Sequence, residues 1–302
     1  MSDVVIVGCG YIGIELGTQL QATGYDVTGV RRSDEGLDAI AAAGLTPHRG
    51  DATDPASLTS LPDAKWVIFA ASAGGRGADT ARRIYLDGLQ YTINEYATRS
   101  TTPDRIVYTS STGVYGDHGG ALVDETTPIE PTTDKTEVLA DAERRALAAS
   151  ESGIDATVTR FAGLYGPHRY RLSRYLEGPV TEGYLNMVHR ADAAGSIAYL
   201  LSENRARNET VLVCDDEPVD KWVFADWLAT KCGYPEPAKR TVEERLADSS
   251  LSETAKRRIK TSKRCSNEKL RTLGYGFSHP TYRSGYHAAI EAVQHGRDPD
   301  EV

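Results

Sequence analysis

The sequence predicts an α/β fold, with a doubly wound parallel sheet and a smaller C-terminal lobe. Over the first half of its 302 residues, short runs rich in β-branched residues alternate with helical patterns, as they do in parallel sheets covered by helices. A glycine-rich turn follows the first of these runs. Beyond about Gly163 the loops lengthen and the periodic stretches shorten, which indicates a second lobe.

Seven strands are predicted, and the first of them, at residues 4–7, leads into a helix that carries Ile12, Leu16 and Leu20 on one face. The other six are predicted at 26–30, 45–48, 66–70, 105–109, 155–161 and 210–214. Later helical patterns occur at 190–201, 220–232, 242–247 and 286–293. We therefore predict a dinucleotide-binding domain over 1–165 and a substrate-binding lobe over 166–302, with one or two strands returning to the sheet at about 186–214.

The composition argues against several classes of protein. A content of 40% hydrophobic and 25% charged residues is ordinary for a globular chain, and a net charge of −9 disfavours nucleic-acid binding. Four scattered cysteines without a CxxC pair predict no metal site and a reduced setting. No apolar run reaches the about 20 residues of a membrane span, and no signal peptide precedes the first strand, so we expect a cytoplasmic protein without a membrane partner.

The glycine-rich turn has the sequence GCGYIG at residues 8–13, between the first strand and its helix. In that context GxGxxG is the fingerprint of a Rossmann dinucleotide site. Gly8 permits the tight turn, Gly10 leaves room for the pyrophosphate, and Gly13 lets the helix pack on the strand. The helix N-terminus would face the negative charge. A glycine-rich turn without a ligand is the alternative.

Arg31, Arg32 and Ser33 stand at the end of the second strand, where an NAD site usually carries an acidic residue. A guanidinium suits the 2′-phosphate of NADP through bidentate, charge-assisted bonds. Two solvated surface arginines are the alternative. The sequence therefore predicts NADP(H) as the cofactor in preference to NAD(H).

Four later segments resemble, in order, those of the extended short-chain dehydrogenase/reductase superfamily of NAD(P)-dependent epimerases and dehydratases. They are SSTGVYG at 110–116, DETTPIEP at 124–131, RFAGLYGP at 160–167 and NMVHRAD at 186–192. The longer runs SSTGVYGDHGG at 110–120, VDETTP at 123–128, KRCSN at 263–267 and HPTYRSG at 279–285 resemble its atypical YeeZ-like branch, which has no firmly assigned reaction. Dimers are common in the superfamily, so the resemblance leaves a homodimer open.

The catalytic tyrosine–lysine pair of that superfamily is missing. Its enzymes activate a tyrosine through a lysine four residues later on one helix face. The matching positions fall near Lys135 and Leu139, and none of the sixteen tyrosines has a lysine four positions on. Two functions stay open: an atypical NADP(H)-dependent oxidoreductase or epimerase acting on a hydroxyl/carbonyl pair of a polar, sugar- or nucleotide-linked small molecule, or a non-catalytic NADP(H)-binding sensor or regulator.

Five residues are the candidates for catalysis. Ser111 matches the catalytic serine of the superfamily, and Tyr85 and Asp87 fall on the helix that carries its NVxGT segment. Tyr115 is a substitute acid if it leans toward the nicotinamide, and His189 titrates near neutral pH. Four of them have a structural alternative: a strand-end hydroxyl for Ser111, helix packing for Tyr85, packing near the substrate without proton donation for Tyr115 and a satisfied buried histidine for His189.

The predicted cofactor contacts follow the carboxyl ends of the strands. They are Gly8, Gly10, Tyr11, Ile12, Gly13, Arg31, Arg32, Ser33, Asp51, Ala52, Ala70, Ala71, Phe161, Ala162 and Gly163. The resemblance further implies that four basic residues line the substrate site: Arg160, His168, Arg169 and Arg190.

Overall fold

The computed structural model describes residues 2–74 and 77–299, and its central element is a seven-stranded parallel sheet. Numbered along the chain, the strands are β1 (Ser2–Val7), β2 (Val27–Arg31), β3 (Thr46–Arg49), β4 (Ala64–Phe69), β5 (Arg105–Ser111), β6 (Asp155–Phe161) and β7 (Glu209–Val213). Their order across the sheet is β7-β6-β5-β4-β1-β2-β3. All seven predicted strands are confirmed within two residues at each end, in the predicted doubly wound arrangement.

The sequence of each strand fits its place in the sheet. At the centre, β1 ends in the apolar run VVIV and β4 in the run WVIF, and Val5, Ile6 and Ile68 are fully buried, as expected of parallel strands covered on both faces. At the edge, β3 reads TPHR and is largely exposed. An edge strand tolerates Pro47, which has no N–H to donate to a neighbour.

Helices follow the strands in the expected alternation. Those before residue 203 are Tyr11–Ala22, Asp34–Ala42, Pro55–Leu58, Ala78–Ala81, Leu89–Ala97, Asp134–Leu147 and Arg190–Ser202, with 3-10 turns at Thr112–Tyr115 and Ala148–Ser152. A π-helix over Arg82–Gly88 joins Ala78–Ala81 to Leu89–Ala97. Such wide turns are rare and often occur at functional sites, and this one carries Tyr85 and Asp87.

The chain forms two compact units that interleave along the sequence. The first unit comprises Met1–Val114, Asp134–Arg160 and Ala193–Val211, and the second comprises Tyr115–Thr133, Phe161–Asp192 and Leu212–Val302. The predicted single boundary after residue 165 therefore divides the chain differently from these units. Within the range of the predicted returning strands, β7 lies at the edge of the sheet and Met187–His189 pairs with Gly163–Tyr165.

The second unit is built from two-stranded ladders around an aromatic core. The ladders are Gly163–Tyr165 with Met187–His189, Pro179–Thr181 with Ala238–Arg240, Leu122–Val123 with Arg264–Cys265, and Tyr184–Leu185 with Val219–Asp220. Its helices are Ser173–Leu176, Lys221–Cys232, Val242–Leu246, Glu253–Lys260, Glu268–Thr272, Tyr282–Gly285 and His287–Gln294. Three of the four predicted later helices are among these, and the fourth, predicted at 190–201, is helix Arg190–Ser202, so all four are confirmed. Tyr165 stacks on Tyr286 with ring centroids 4.7 Å apart, and Phe224 packs edge-on against Tyr286.

All four cysteines lie in the described part of the chain as buried thiols. Burial raises the pKa of the Cys9 thiol to about 12, which keeps it protonated and unreactive beside the glycine-rich turn. Among the residues that the structure describes, no helix combines the length and the apolar character that a membrane span requires.

Candidate functional site

Two close approaches shape the glycine-rich turn between β1 and its helix. Gly8 has a φ of +82°, and a Cβ there would lie 2.3 Å from the Cα atom of Ala71. A side chain at this position is therefore excluded both by conformation and by space. A Cβ on Gly13 would lie 3.0 Å from Cγ2 of Ile6, so the helix packs directly on β1. These two glycines fix the path of the backbone around the site.

The first turn of helix Tyr11–Ala22 is open to an anion. Its N-cap residue is Gly10, which supplies no side-chain cap, and the turn carries no acidic residue. The N–H groups of a helix start lack partners within the helix, and the helix dipole places partial positive charge there. This end, which includes Tyr11 and Ile12, therefore has the properties that hold a pyrophosphate. A Cβ on Gly10 would meet Nη1 of Arg31 at 2.6 Å, so the Arg31 guanidinium lies beside the turn.

Three arginines gather at the carboxyl ends of β2 and β3. Arg31 lies opposite Arg49 in the register of these strands, and Nη1 of Arg49 donates to the carbonyl oxygen of Arg32 at 2.8 Å. Arg49 also pairs with Asp34, and Arg32 lies 3.7 Å from the carboxylate of Asp51. By contrast, no carboxylate in the part of the chain that the structure describes pairs with Arg31. Its charge is available to a ligand.

Arg49 is absent from the predicted site because β3 is the weakest of the predicted strands. The available signal is positional, since a residue at the carboxyl end of β3 lies beside the end of β2 in a parallel sheet. Ser33, which is in the predicted set, caps helix Asp34–Ala42 by accepting a hydrogen bond from the Gly36 N–H at 3.3 Å. Its hydroxyl thus already has a structural role.

Asp51, Ala52 and Ala70 lie on the loops that follow β3 and β4. Burial acts to raise the pKa of Asp51, but hydrogen bonds from Thr53 and the charge of Arg32 hold it below its ordinary value. Asp51 is therefore an anion beside the arginines. Ala52 is buried, and Ala70 continues β4 into the loop that contains Ala71.

Tyr85 connects the π-helix to this same loop. Its hydroxyl accepts a hydrogen bond from the Ala73 N–H at 3.1 Å, and its ring is buried. Within the described residues its own proton has no acceptor, so the hydroxyl can donate to a bound molecule. Asp87, two residues further on, is half-buried on the π-helix.

Ser111 and Ser110 have opposite environments at the end of β5. Ser111 is half-buried, and its Oγ accepts a hydrogen bond from the Gly113 N–H at 3.1 Å. Ser110 is buried and donates to the carboxylate of Glu143 at 2.6 Å. That carboxylate forms an ion pair of 2.7 Å with Arg160, whose side chain is only 8% exposed. Arg160 is thus committed to a buried pair, which corrects its predicted place beside the substrate.

Tyr115 is fully buried in the second unit. Its hydroxyl donates to the carbonyl oxygen of Asp124 at 2.7 Å, and its ring lies edge-on to His118. The single phenolic proton is already used in this bond. The structure therefore gives Tyr115 the task of anchoring the loop before Asp124, in place of the predicted role as a substitute acid.

His189 is also buried in the second unit, with 7% of its surface exposed. Its Nδ1 accepts a hydrogen bond from the Ala191 N–H at 3.2 Å, and its ring centroid lies 3.8 Å from that of His279. Burial and the neighbouring His279 lower the pKa of His189 to about 4. The imidazole is therefore neutral at physiological pH, which disfavours the predicted role as an acid.

Asp192 organises the surroundings of His189. Its carboxylate accepts hydrogen bonds from the N–H groups of Ser278 and His279 at 2.7 and 2.8 Å and from the Tyr275 hydroxyl at 3.2 Å. Potential ligand atoms of His189, Asp192 and His279 lie within 4.8 Å of one another, which is compatible in distance with a metal ion. The protein's own hydrogen bonds already occupy both Asp192 oxygens and Nδ1 of His189, so we assign the group a structural role.

The predicted contacts after β6 belong to the second unit. Phe161 is buried, the Ala162 N–H donates to the carbonyl oxygen of Val213 at 3.0 Å, and the Gly163 N–H donates to that of Asn186 at 2.9 Å. A Cβ on Gly163 would lie 3.0 Å from that Asn186 oxygen, which explains a small residue there. Their contact with a cofactor stays a prediction.

Comparisons with known proteins bear on the family and the fold of the chain. The model of the NAD-dependent epimerase/dehydratase family matches residues 4–209. Protein YeeZ of Escherichia coli (strain K12) is 32% identical over 248 residues, which cover 80% of this chain and 87% of YeeZ. A functionally unknown conserved protein from Silicibacter pomeroyi superimposes with a TM-score of 0.77 at 26% identity, over 99% of this chain and 100% of its own. The dTDP-glucose 4,6-dehydratase DesIV of Streptomyces venezuelae, solved with NAD and TYD bound, shares the fold with a TM-score of 0.78 at 19% identity over 97% of both chains.

Proposed function

The chain belongs to the NAD-dependent epimerase/dehydratase family, and on that premise we propose that it is an NADP(H)-dependent oxidoreductase or epimerase. Its substrate is a small polar molecule with a hydroxyl/carbonyl pair, such as a sugar- or nucleotide-linked metabolite. The observation that carries the preference for NADP(H) is the guanidinium of Arg31, which has no carboxylate partner among the described residues, beside a helix N-terminus without a side-chain cap.

The residues around the turn fit a dinucleotide phosphate. The pyrophosphate is held by the N–H groups of the first helical turn, over the bare Cα atom of Gly10. The 2′-phosphate is held by Arg31, which pairs with no carboxylate in the part of the chain that the structure describes, whereas Asp51 and Asp34 partly neutralise Arg32 and Arg49. When bound, the nicotinamide supplies the hydride chemistry, and the protein supplies position and proton transfer.

The proton is handled by two hydroxyl groups of the first unit. Tyr85 bonds to the loop after β4, and Ser111 ends β5, the neighbouring strand. The carboxyl ends of parallel neighbours meet at one edge of a sheet, where ligands of this fold bind. In the direction of carbonyl reduction Tyr85 donates its hydroxyl proton to the substrate oxygen and regains one from solvent, and Ser111 hydrogen-bonds the same oxygen.

Calorimetric titration with NADPH and, separately, with NADH tests this proposal. We expect NADPH to bind more tightly, because only the 2′-phosphate gives Arg31 a partner. Equal affinity for the two would overturn the preference for NADP(H), and binding of neither would overturn the dinucleotide site. A screen of carbonyl substrates, followed by NADPH absorbance, then identifies the reaction.

A sensor or regulator that binds NADP(H) without turnover is the second candidate. The observation that favours it is the missing tyrosine–lysine pair, together with the engaged hydroxyl of Tyr115. Slow oxidation of NADPH by a carbonyl substrate, abolished in the Tyr85→Phe variant, decides for the enzyme. Tight NADPH binding without turnover on a broad carbonyl panel decides for the sensor.

A further inference from the structure

A buried ionic cluster ties three elements of the first unit together. Glu143 lies on helix Asp134–Leu147, Arg160 on β6 and Ser110 near the end of β5. One carboxylate oxygen of Glu143 accepts a hydrogen bond from the Ser110 hydroxyl at 2.6 Å, and the other accepts one from Nη2 of Arg160 at 2.7 Å. Nε of Arg160 lies 3.0 and 3.1 Å from these two oxygens. The glutamate therefore joins the ends of two neighbouring strands to one helix.

A contribution to stability does not by itself account for this ion pair. The side chains of Glu143 and Arg160 are only 5% and 8% exposed, and the cost of withdrawing two charges from water offsets their attraction. Apolar side chains of similar volume are often equally stable at such a place. The pair does provide a fixed geometry, because a bidentate guanidinium holds a carboxylate in one orientation. Ser110 is therefore bound to a rigid partner.

The hydrogen bond of Ser110 determines how the next residue is presented. Successive side chains of a strand point to opposite faces, so a Ser110 fixed toward Glu143 directs Ser111 to the other face of β5. Ser111 Oγ accepts a hydrogen bond from the Gly113 N–H at 3.1 Å. Among the residues that the structure describes, the proton of Ser111 has no acceptor. Ser111 can therefore donate to a molecule bound at the carboxyl end of β5.

We propose that Glu143 is a positioning residue for the reaction: by binding Ser110 it holds the end of β5, so that the Ser111 hydroxyl meets the substrate oxygen in one orientation. The proposal rests on the proposed function, since it takes Ser111 as the group that hydrogen-bonds this oxygen. It adds that Glu143 and Ser110 act through Ser111 without contacting the substrate. Such control of position matters, because a misplacement of about 1 Å can lower a rate by about 100-fold.

A double-mutant cycle tests the proposal with NADPH and the carbonyl substrate that the screen identifies. Ser110→Ala should lower kcat by at least about tenfold and change the substrate KM little, because the Ser111 contact strengthens in the transition state. In the Ser111→Ala background, Ser110→Ala should have no further effect. Equal losses in the two backgrounds would show a general structural role and overturn the proposal, and so would a normal kcat in Ser110→Ala.

Two further substitutions on β5 serve as rescue and control. Ser110→Thr keeps the hydroxyl group that Glu143 binds and should retain most of the turnover. Thr109→Val removes the hydroxyl of the preceding residue, which donates to the carbonyl oxygen of Phe69 at 3.4 Å, and should leave kcat unchanged. A loss in Thr109→Val as large as that in Ser110→Ala would overturn the assignment to Ser110 and Glu143.

A double variant tests Glu143 itself without leaving a buried charge unpaired. Glu143→Met combined with Arg160→Met exchanges the ion pair for apolar side chains, which buried sites tolerate. This variant should lose kcat as Ser110→Ala does, while NADPH affinity and thermal unfolding stay near those of the unaltered chain. A normal kcat in the folded double variant would overturn the role of Glu143. If the double variant is destabilised, the cycle with Ser110→Ala decides.

Amide hydrogen exchange gives a measurement that requires no substrate. Because the Gly113 N–H is bonded to Ser111 Oγ, its exchange should be at least about tenfold faster in Ser110→Ala and unchanged in Thr109→Val. Unchanged exchange of Gly113 in Ser110→Ala would overturn the positioning proposal and leave the proposed function intact. An unaltered chain that binds NADPH but reduces no carbonyl substrate would instead refute the proposed function, and the catalytic role of Glu143 with it.

Discussion

The glycine-rich turn of the first unit and the surroundings of His189 in the second unit are both predicted from short motifs, but their polar groups are in opposite states. At the turn, the helix start is uncapped and Arg31 has no carboxylate partner among the described residues. Around His189, the histidine and Asp192 are bound to the backbone of their own unit. A motif thus predicts where a residue lies, whereas burial and hydrogen-bond partners decide whether it is free to react.

The two sites differ in how far apart along the sequence their neighbouring residues lie. The turn is formed by residues 8–13, and Arg31 follows Gly13 by only 18 residues at the end of the next strand, so nearby patterns describe this part of its environment. His189 owes its environment to His279, ninety positions further along the chain. No local pattern contains that contact.

Substitution of Gly10 in the glycine-rich turn should have the largest effect, and the quantity it changes is the affinity for NADPH. In Gly10→Val the new side chain occupies the space of the pyrophosphate, and NADPH affinity should fall by at least about 100-fold. The nearest atom is the flexible end of Arg31, so the free energy of unfolding should change little. Calorimetry and urea denaturation measure the two quantities.

Gly8→Ala is the control that separates folding from binding. Its Cβ would meet backbone atoms of Ala71 at a positive φ, so we expect a loss of about 3 kcal/mol in the free energy of unfolding. Undiminished NADPH affinity in Gly10→Val would refute the turn as a pyrophosphate site.

The two tyrosines with opposite hydrogen-bond roles should give opposite results. Tyr85→Phe removes the free proton and should lower turnover by at least about 100-fold, with a small effect on unfolding. Tyr115→Phe breaks a buried hydrogen bond and should cost about 1 kcal/mol of unfolding free energy, with turnover near that of the unaltered chain. Normal turnover in Tyr85→Phe would exclude Tyr85 as the proton donor.

A change of charge at Arg31 tests whether this residue selects NADPH over NADH. Arg31→Asp should reduce the ratio of NADPH to NADH affinity by about 10- to 100-fold, because charge-assisted hydrogen bonds to the 2′-phosphate are lost. The affinity for NADH itself should be kept or improved, since an acidic residue can bond the ribose 2′-hydroxyl. A selectivity that does not change in competitive titrations would show that Arg31 does not contact the phosphate.

The burial of His189 in the second unit should make the free energy of unfolding depend on pH. The pKa of His189 is about 4 in the folded chain and about 6.5 when unfolded, so the unfolded state binds more protons between these values. The free energy of unfolding should therefore be unaffected by His189 at pH 7 and decline as the pH falls from about 6.5 to about 4. His189→Gln should flatten this decline in urea titrations, and an unaltered pH profile would contradict the burial argument.

Several features of the fold and the site could be predicted from the sequence. The central strands can be predicted because strands buried on both faces are rich in apolar residues, as in the run VVIV of β1 and the run WVIF of β4. The glycines of the turn are predictable because only that residue fits the positive φ of Gly8. Arg31 follows from its place at the end of β2.

Other features depend on contacts that no local pattern contains. The Glu143–Arg160 pair forms between a helix and a strand, and it turns a predicted substrate contact into an interior ion pair. The π-helix that presents Tyr85 has no distinct signature in a sequence that is helical on both sides. The place of Arg49 in the site could not be predicted, because it lies on the edge strand β3, which has too few apolar residues to give a clear strand pattern.

The interleaving of the two units also bears on how the chain is made. During synthesis, β6 emerges from the ribosome well before β7, which ends only at residue 213. Until then β6 is the edge of the sheet, although six of its seven residues are buried in the finished molecule. A chain truncated near residue 165 lacks β7, so β6 remains an unpaired edge strand. Such edges pair with strands of other chains. Premature termination in this stretch should therefore yield aggregates rather than a free-standing cofactor domain.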